Sequence, residues 1–252
     1  MGMVVAIANQ KGGVGKTTTT VNLAASLAAF DRTVLLLDLD PQGNATQGVG
    51  IEKNALDRTV YDALVNGCPL TQVIQGTGME RFDAAPANRD LVGAEVELIE
   101  VENRLSRLRQ ALAPVRNKYD YILVDCPPSL SLLTVNGLVA ADQVLITLQC
   151  EYFALEGLSE LLKTVIRVRD QNNSALSIFG VLLTMYQNTN LSKQVLDDVR
   201  DHLGKKVFNT IIPRNVTLSE APSFGQPAMY YDLKSAGAQA YLALAREVMS
   251  RG

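Results

Sequence analysis

An apolar run at residues 4–8 passes straight into Asn9, Gln10, Lys11, Gly12, Gly13, Val14, Gly15, Lys16, Thr17 and Thr18, and an amphipathic segment follows over residues 21–30. Strand, glycine-rich turn, helix: this order constrains the fold more than any other feature of the chain. Such a turn aims successive backbone N–H groups into one concavity at a helix N-terminus, where the helix dipole favours an anion. Gly12, Gly13 and Gly15 let phosphate oxygens approach the main chain. Lys16 can reach β- and γ-phosphates, and the Thr17 hydroxyl can ligate Mg²⁺. The general pattern G-x-x-x-x-G-K-[ST] wants glycine at position 10, where Gln10 stands, and a second lysine, Lys11, precedes the glycine pair. That is the deviant form of the Walker A loop.

A chain of 252 residues, 47% hydrophobic and 19% charged, suits one α/β domain over residues 1–252 with a sizeable core. No stretch approaches the roughly 18 apolar residues of a membrane span. The N-terminal apolar run is too short for a signal peptide, and Ala6 stands where myristoylation wants Ser or Thr. Cys68, Cys126 and Cys150 are scattered and odd in number, which supports neither a disulfide framework nor a zinc site and points to a reducing cytoplasm. The net charge of −3 argues against a strongly basic nucleic-acid binder, but from Lys163 onward 11 Lys and Arg face 7 Asp and Glu, a surplus of +4.

Strand-like runs alternate with helical patterns, the signature of a mostly parallel twisted sheet with helices on both faces. Strands are expected at residues 4–8, 33–37, 121–124, 143–148, 178–184 and 207–212, with a weaker one at 82–85. One helix is expected through Leu98, Val101, Leu105, Leu108 and Leu112. Others run through Leu155, Leu158, Leu162, Val165 and Ile166, and through Leu191, Val195, Val199 and Leu203; a last one spans residues 235–249. Residues 41–69 read as a long loop with a short helix near 60–65, and long loops after strands are where switch elements sit.

Two further strand ends carry carboxylates. Residues 121–124 lead into Asp125, the Walker B arrangement, which holds a carboxylate near the phosphate loop to bind Mg²⁺ or its waters. Cys126, Pro127, Pro128 and Ser129 follow, a stiff turn suited to sensing a γ-phosphate. Residues 34–37 lead into Asp38, Leu39, Asp40, Pro41, Gln42, Gly43 and Asn44. Alternation puts Asp38 and Asp40 on one side. One of them is expected to hold a metal-bound water and the other to orient the attacking water.

With these motifs in order, the chain resembles the ParA/Soj-type partition ATPases of the deviant Walker A class over nearly its whole length. The likeness extends through Gln149, Cys150, Glu151, Tyr152, Phe153, Ala154, Leu155, Glu156 and Gly157. It continues through Ile212, Pro213, Arg214, Asn215 and Val216, then Leu218, Ser219, Glu220, Ala221, Pro222 and Ser223. The resemblance implies an ATPase using ATP and Mg²⁺ that forms an ATP-driven sandwich homodimer. Lys11 would reach the partner subunit's phosphates, Asp40 would be needed for hydrolysis, and Thr17, Asp38 and Asp125 would serve the metal. Residues 11–18 would bind phosphate, with Pro213 and Asn215 beside the adenine. It also implies non-specific DNA binding, a ParB-type centromere-binding partner that stimulates hydrolysis through a basic N-terminal peptide, and a nucleoid-associated cytoplasmic location. A lysine supplied in trans makes hydrolysis conditional on dimerisation, as an arginine finger does elsewhere.

Other readings stay open. A membrane-cycling MinD-like ATPase would end in a basic, bulky-apolar helix; the last helix here is alanine-rich and reads as packed on the body, so no membrane contact is expected. An iron–sulfur carrier would use Cys126 and Cys150, both read here as structural. A metabolic ligase or small-molecule kinase, and an orphan cargo-positioning ATPase, share the same loop. Relatives commonly carry arginines in the loop before the Leu191 helix and two residues after the asparagine of the Ile-Pro-Arg-Asn motif. This chain has Tyr186, Gln187, Asn188, Thr189 and Asn190 at the first place and Thr217 at the second. Candidate DNA cations are then Lys163, Arg167, Arg169, Lys193, Arg200, Lys205, Lys206, Lys234, Arg246 and Arg251. His202 reads as a surface or half-buried side chain, and Tyr230 and Tyr231 as packing.

Overall fold

The computed structural model describes residues 2–151 and 154–251; Tyr152 and Phe153 of the motif above lie outside them. The strands are β1 (Met3–Ala8), β2 (Val34–Asp38), β3 (Gln75–Gly76), β4 (Phe82–Ala85), β5 (Tyr121–Asp125), β6 (Gln143–Gln149) and β7 (Ser177–Thr184). They form one sheet in the order β3-β4-β2-β5-β1-β6-β7. Every pairing is parallel except β3 with β4, an edge strand too short to read in the sequence. The α-helices are α1 (Lys16–Ala28), α2 (Asn44–Gly48), α3 (Val60–Leu64), α4 (Leu91–Glu97), α5 (Arg107–Leu112), α6 (Leu132–Ala140), α7 (Ala154–Gln171), α8 (Asn190–Leu203), α9 (Thr217–Glu220), α10 (Ala228–Tyr231) and α11 (Ala236–Arg251).

Strand residues alternate between two cores. Val4, Ala6, Leu35, Leu37, Ile122 and Val124 face α3 to α8, meeting Leu64, Leu91, Leu112, Leu138, Val165 and Val199. Val5, Ile7, Val34, Leu36 and Leu123 face α1 and α11, meeting Leu23, Leu27, Tyr241, Leu244 and Val248. Parallel strands covered on both sides must be apolar on both, which is why these runs lack polar alternation. The register places Asp125 level with Ile7 of β1 and with Asp38 of β2, at the carboxyl edge where the glycine-rich turn leaves β1.

Two expected elements take other forms. Residues 207–212 make no regular strand. Phe208 N and Ile212 N donate to Val181 O and Leu183 O, both at 2.9 Å. The intervening amides of Asn209 and Thr210 are captured by the Glu247 carboxylate of α11 at 2.8 and 2.9 Å. The helix expected through Leu98 to Leu112 is broken. A 3-10 turn at Leu98–Glu100 closes α4, Val101 is extended and Asn103 has φ 58°, so α5 starts afresh. Asn136 of α6 bridges the gap, its amide donating to Arg104 O and accepting from Leu108 N. Two helical stripes are also less complete than expected, since Ile166 and Leu191 are each 44% exposed.

In β7 a bulge leaves Phe179 unpaired between Ile178, opposite Val144, and Gly180, opposite Leu145. Phe179 then meets Phe208 edge-on, 5.6 Å between ring centroids. A Cβ on Gly180 would lie 2.6 Å from the Phe208 ring and 2.8 Å from Lys206 O. Gly180→Ala should therefore lower the unfolding free energy by about 1–3 kcal/mol, the usual range for overpacking, seen as a lower urea midpoint with unchanged slope.

Candidate functional site

The turn between β1 and α1 is shaped by side chains at both ends. Asn9 donates to Thr147 O at 2.6 Å and accepts from Lys11 N at 3.0 Å. Thr184, at the end of β7, donates to Val14 O at 2.9 Å. Gly13 and Gly15 have φ of 72° and 82°, a region that costs a side chain. A Cβ on Gly12 or Gly13 would meet nothing within 4 Å. The concavity is open, lined by main chain, and the right shape for phosphate oxygens.

Lys16, the first residue of α1, is 6% exposed and donates to Lys11 O at 3.0 Å across the loop. Burial lowers its pKa while Asp125 opposes that shift; phosphate charge would oppose it further. Asp125 is fully buried. It accepts from Thr17 Oγ1 at 2.7 Å and Thr20 Oγ1 at 3.0 Å, the two hydroxyls one turn apart on α1. Burial, then the neighbouring Asp38, raise its pKa, and the threonine bonds pull the other way. A divalent cation on Thr17 and Asp125 would relieve that cost, so the donor set fits Mg²⁺ bound through few protein oxygens and completed by phosphate and water.

Asp38, expected among the metal groups, is occupied differently. Its Oδ2 accepts from Thr46 N at 2.8 Å and Thr46 Oγ1 at 2.7 Å, and its Oδ1 from Asp40 N at 3.1 Å. Burial raises its pKa to about 6 against these bonds. With both oxygens in use, Asp38 fixes the loop from Asp40 to α2. Asp40 itself is 8% exposed and caps the following turn through Gln42 N at 2.9 Å. Gly43, at φ 62°, completes this turn; a Cβ there would stand 2.7 Å from Ala87 O. The loop after α2 also abuts the turn before α10: a Cβ on Gly50 would be 3.0 Å from Gly225 O, and one on Gly225 2.8 Å from Gly50 Cα.

Lys11 is set apart. Its ammonium pairs with Glu151, beyond the end of β6, both side chains about half exposed at 54% and 44%. A pair this exposed is worth roughly 0–1 kcal/mol, so a stronger anion can take the lysine away. Glu151 lies on the rim of a cleft of about 760 Å³ lined also by Gly15, Thr18, Thr184, Met185, Pro213 and Asn215. Met185 holds φ 51°, and Arg214 N bonds Tyr186 O at 3.0 Å, which brings residues 213–215 alongside β7. The Asn215 Oδ1 is buried without a partner. It faces α11, 2.8 Å from where a Cβ on Gly237 would stand. The cleft adjoins the open cradle, with Gly15 and Thr18 in its lining.

Thr20, Thr46, Thr184 and Glu151 carry roles here that the sequence reading does not assign. Only Thr20 left a signal, being three residues after Thr17 on the same helix face. Cys126 and Cys150 are buried, with burial pushing both thiols up, Cys150 to about 11. His202 is exposed beside Asp198 O, and Tyr231 stacks on exposed Phe224 with centroids 5.0 Å apart. Among the described residues no helix is long and apolar enough to cross a membrane.

A family model described as "AAA domain" matches residues 2–178. The chain is 53% identical to the chromosome partitioning protein ParA of Myxococcus xanthus over all of this chain and 89% of that one. It is 54% identical to the sporulation initiation inhibitor protein Soj of Bacillus subtilis, with both chains fully covered. The chain belongs to the ParA/Soj family. Among solved structures, cobyrinic acid a,c-diamide synthase of Mycobacterium smegmatis with bound ADP and magnesium superposes at TM-score 0.86. It is 38% identical, over 98% of this chain and 93% of that one. The ParA/Soj chain is thus a P-loop ATPase by family, with the expected mostly parallel α/β sheet.

Thr46→Ala would take the hydroxyl donor from the buried Asp38 carboxylate and the acceptor from Ala87 N, while the main-chain N–H at position 46 still reaches Asp38. We expect about 1–3 kcal/mol less stability in a urea titration, the cost of removing one hydrogen bond to a buried carboxylate and leaving a buried amide unpaired, and looser ATP-dependent protection of the loop at residues 40–48.

Proposed function

We propose that this ParA/Soj chain is an ATP-driven dimerising switch. Its ATP form binds DNA without sequence preference and moves a chromosome or plasmid region with a ParB-like partner, which also stimulates hydrolysis. The observation that carries this reading is the division between the two loop lysines. Lys16 is buried at the cradle beside Asp125, while Lys11 is exposed and, among the described residues, pairs with Glu151. A buried lysine serves its own subunit's phosphates. An exposed one, loosely paired on the cleft rim, is available to a second subunit's phosphates.

On this reading the main-chain amides of residues 12–16 bind the phosphates, with Lys16 neutralising β- and γ-oxygens. Thr17 and Asp125 hold Mg²⁺, which supplies charge neutralisation on the phosphates. Asp40, with a carboxylate oxygen beyond the one that caps Gln42 N, orients the attacking water. Lys11 from the partner subunit adds positive charge as the phosphoryl group leaves. Asn215 and Pro213 receive the adenine. The protein is then cytoplasmic and nucleoid-associated when loaded with ATP.

Lys16→Ala and Lys11→Ala separate the two lysines. We expect Lys16→Ala to lose ATP binding by equilibrium dialysis. Lys11→Ala should keep ATP affinity within about threefold, a change under 1 kcal/mol, yet remain monomeric with ATP in analytical ultracentrifugation. A Lys11→Ala chain that still dimerises rules out the role in trans.

DNA binding is tested with Asp40→Ala, expected to bind ATP, dimerise and turn over very slowly. Lys163 and Arg167 lie exposed one turn apart on α7. Arg251 is engaged with Glu247 and Val207 O, Lys206 with Ile178 O, and Arg246 with the Phe30 ring. With no arginine at residues 186–190 and Thr217 at the second place, binding should be weaker than in arginine-bearing relatives. It should also fall steeply between about 50 and 200 mM salt, as phosphate neutralisation requires. In a fluorescence titration, no binding by the ATP dimer at the lowest salt would favour an orphan cargo-positioning ATPase.

A further inference from the structure

The turn that carries Asp40 is closed by a lysine from beyond α2. Half-buried Lys53 opens a 3-10 turn at Lys53–Ala55, and its ammonium donates to Gln42 O at 2.8 Å. Its stem lies along the same turn: Lys53 Cδ is 3.1 Å from where a Cβ on Gly43 would stand. The Gln42–Gly43 peptide is thereby gripped at both ends. Its C=O accepts from Lys53, and its N–H, which belongs to Gly43, donates to Asp40 O at 2.9 Å. The peptide before it is tied to the same aspartate, because Gln42 N donates to Asp40 Oδ1 at 2.9 Å. One lysine therefore steadies the main-chain unit next to the one that holds the Asp40 carboxylate.

This peptide is the one in the turn most able to rotate. It precedes a glycine, and the φ of 62° at Gly43 is one of many conformations open to a residue without a Cβ. A flip would withdraw Gly43 N from Asp40 O and turn Gln42 O away from Lys53. The bond that opposes the flip has an ionised donor, which makes it stronger than a neutral one in the same place. Lys53 is itself fixed. The Glu52 carboxylate accepts from Asn54 N at 3.2 Å, Ala55 N donates to Glu52 O at 3.1 Å, and Ile51 N donates to Thr46 O at 3.2 Å. The segment from Gln42 to Lys53 thus closes on itself around α2, with Thr46 inside it bonded to Asp38.

We propose that Lys53 is a positioning residue for hydrolysis: it locks the Gln42–Gly43 peptide and so holds the Asp40 carboxylate in the direction from which it acts. This deepens the ATPase reading and rests on the role of Asp40 in it. Lys53 works through the turn, not on the nucleotide. Its loss should slow turnover and spare ATP binding, because the glycine-rich turn is shaped by Asn9 and Thr184 and not by this loop.

Lys53→Met keeps a stem over Gly43 and removes the ammonium, whereas Lys53→Arg keeps a cation. The full chain is measured in three ways: amide exchange over residues 40–48 without nucleotide, ATP affinity by equilibrium dialysis, and phosphate release at saturating Mg-ATP. We expect Lys53→Met to exchange about tenfold faster over residues 40–48, as a loosened local unit does. Its kcat should fall about tenfold while ATP affinity stays within about twofold, the pattern of an interaction that matters only beyond binding. Lys53→Arg should recover most of both losses, and Lys118→Met, at an exposed lysine before β5, should change neither. In an Asp40→Ala background Lys53→Met should slow turnover no further, as for two residues acting through one group. A Lys53→Met chain with wild-type kcat overturns the proposal whatever its exchange. So does a lowered kcat with unchanged exchange, a loss of ATP affinity as large as the loss of kcat, or a further loss in the Asp40→Ala background. In each of these cases slow turnover by Asp40→Ala alone leaves the reading of Asp40 standing. Wild-type turnover by Asp40→Ala removes that reading, and the proposal with it.

Discussion

Two buried carboxylates level with each other across neighbouring strands set the terms for the rest of this structure. Parallel pairing of β2 with β5 brings Asp38 and Asp125 side by side at the carboxyl edge, both without solvent. Burial raises the pKa of both, Asp38 raises that of Asp125 further, and the neighbouring Asp40 adds to the shift of each. The chain answers with hydroxyls: Thr17 and Thr20 on Asp125, Thr46 on Asp38. Those three threonines fix where α1 begins, how the glycine-rich turn leaves β1, and where the loop after β2 must run. A cation placed between Asp125 and Thr17 would meet carboxylate charge that the fold holds at a cost.

The sheet also sorts the nucleotide site by rigidity. Phosphate-binding groups come from a strand end and a helix start, both enclosed by two apolar cores. The cleft beside them takes residues 212–215 from the end of an irregular segment, whose amides are held partly by β7 and partly by Glu247. A regular strand there would have spent its hydrogen bonds on the sheet. The broken ladder lets residues 213–215 turn toward the phosphate loop and leaves Asn215 facing inward without a partner.

Much of this was legible in the residues because it is local. Glycines, Lys16 and Thr17 sit within one turn, and Asp38, Asp40 and Asp125 each close an apolar run whose strand nature is plain. The broken stretch between Leu98 and Leu112 was not legible, because its cause is Asn136 from another helix, which takes backbone groups a continuous helix would have paired internally. The same holds for Glu247 and residues 209–210, and for Glu151, 140 positions from Lys11. Periodicity reports which face is apolar; it carries no information about a distant side chain that competes for main-chain hydrogen bonds. Asp38 shows the limit within the site. Alternation sets Asp38 and Asp40 on one side at the end of the strand, but the partner Thr46 lies beyond a turn, and its amide and hydroxyl tie the Asp38 carboxylate to the following loop.

The contact between Gly50 and Gly225 has a mechanical consequence. The first glycine follows the helix that Thr46 pins to Asp38, and the second ends the turn leading from the base cleft toward α10. Backbone rests on backbone, with no side chain between them to flex or change rotamer. A displacement of the loop after α2 would therefore press directly on the turn before α10, as through a gear tooth rather than a spring. A methyl group at either glycine would act as a shim, setting the two ends of the site at a different angle before any ligand arrives.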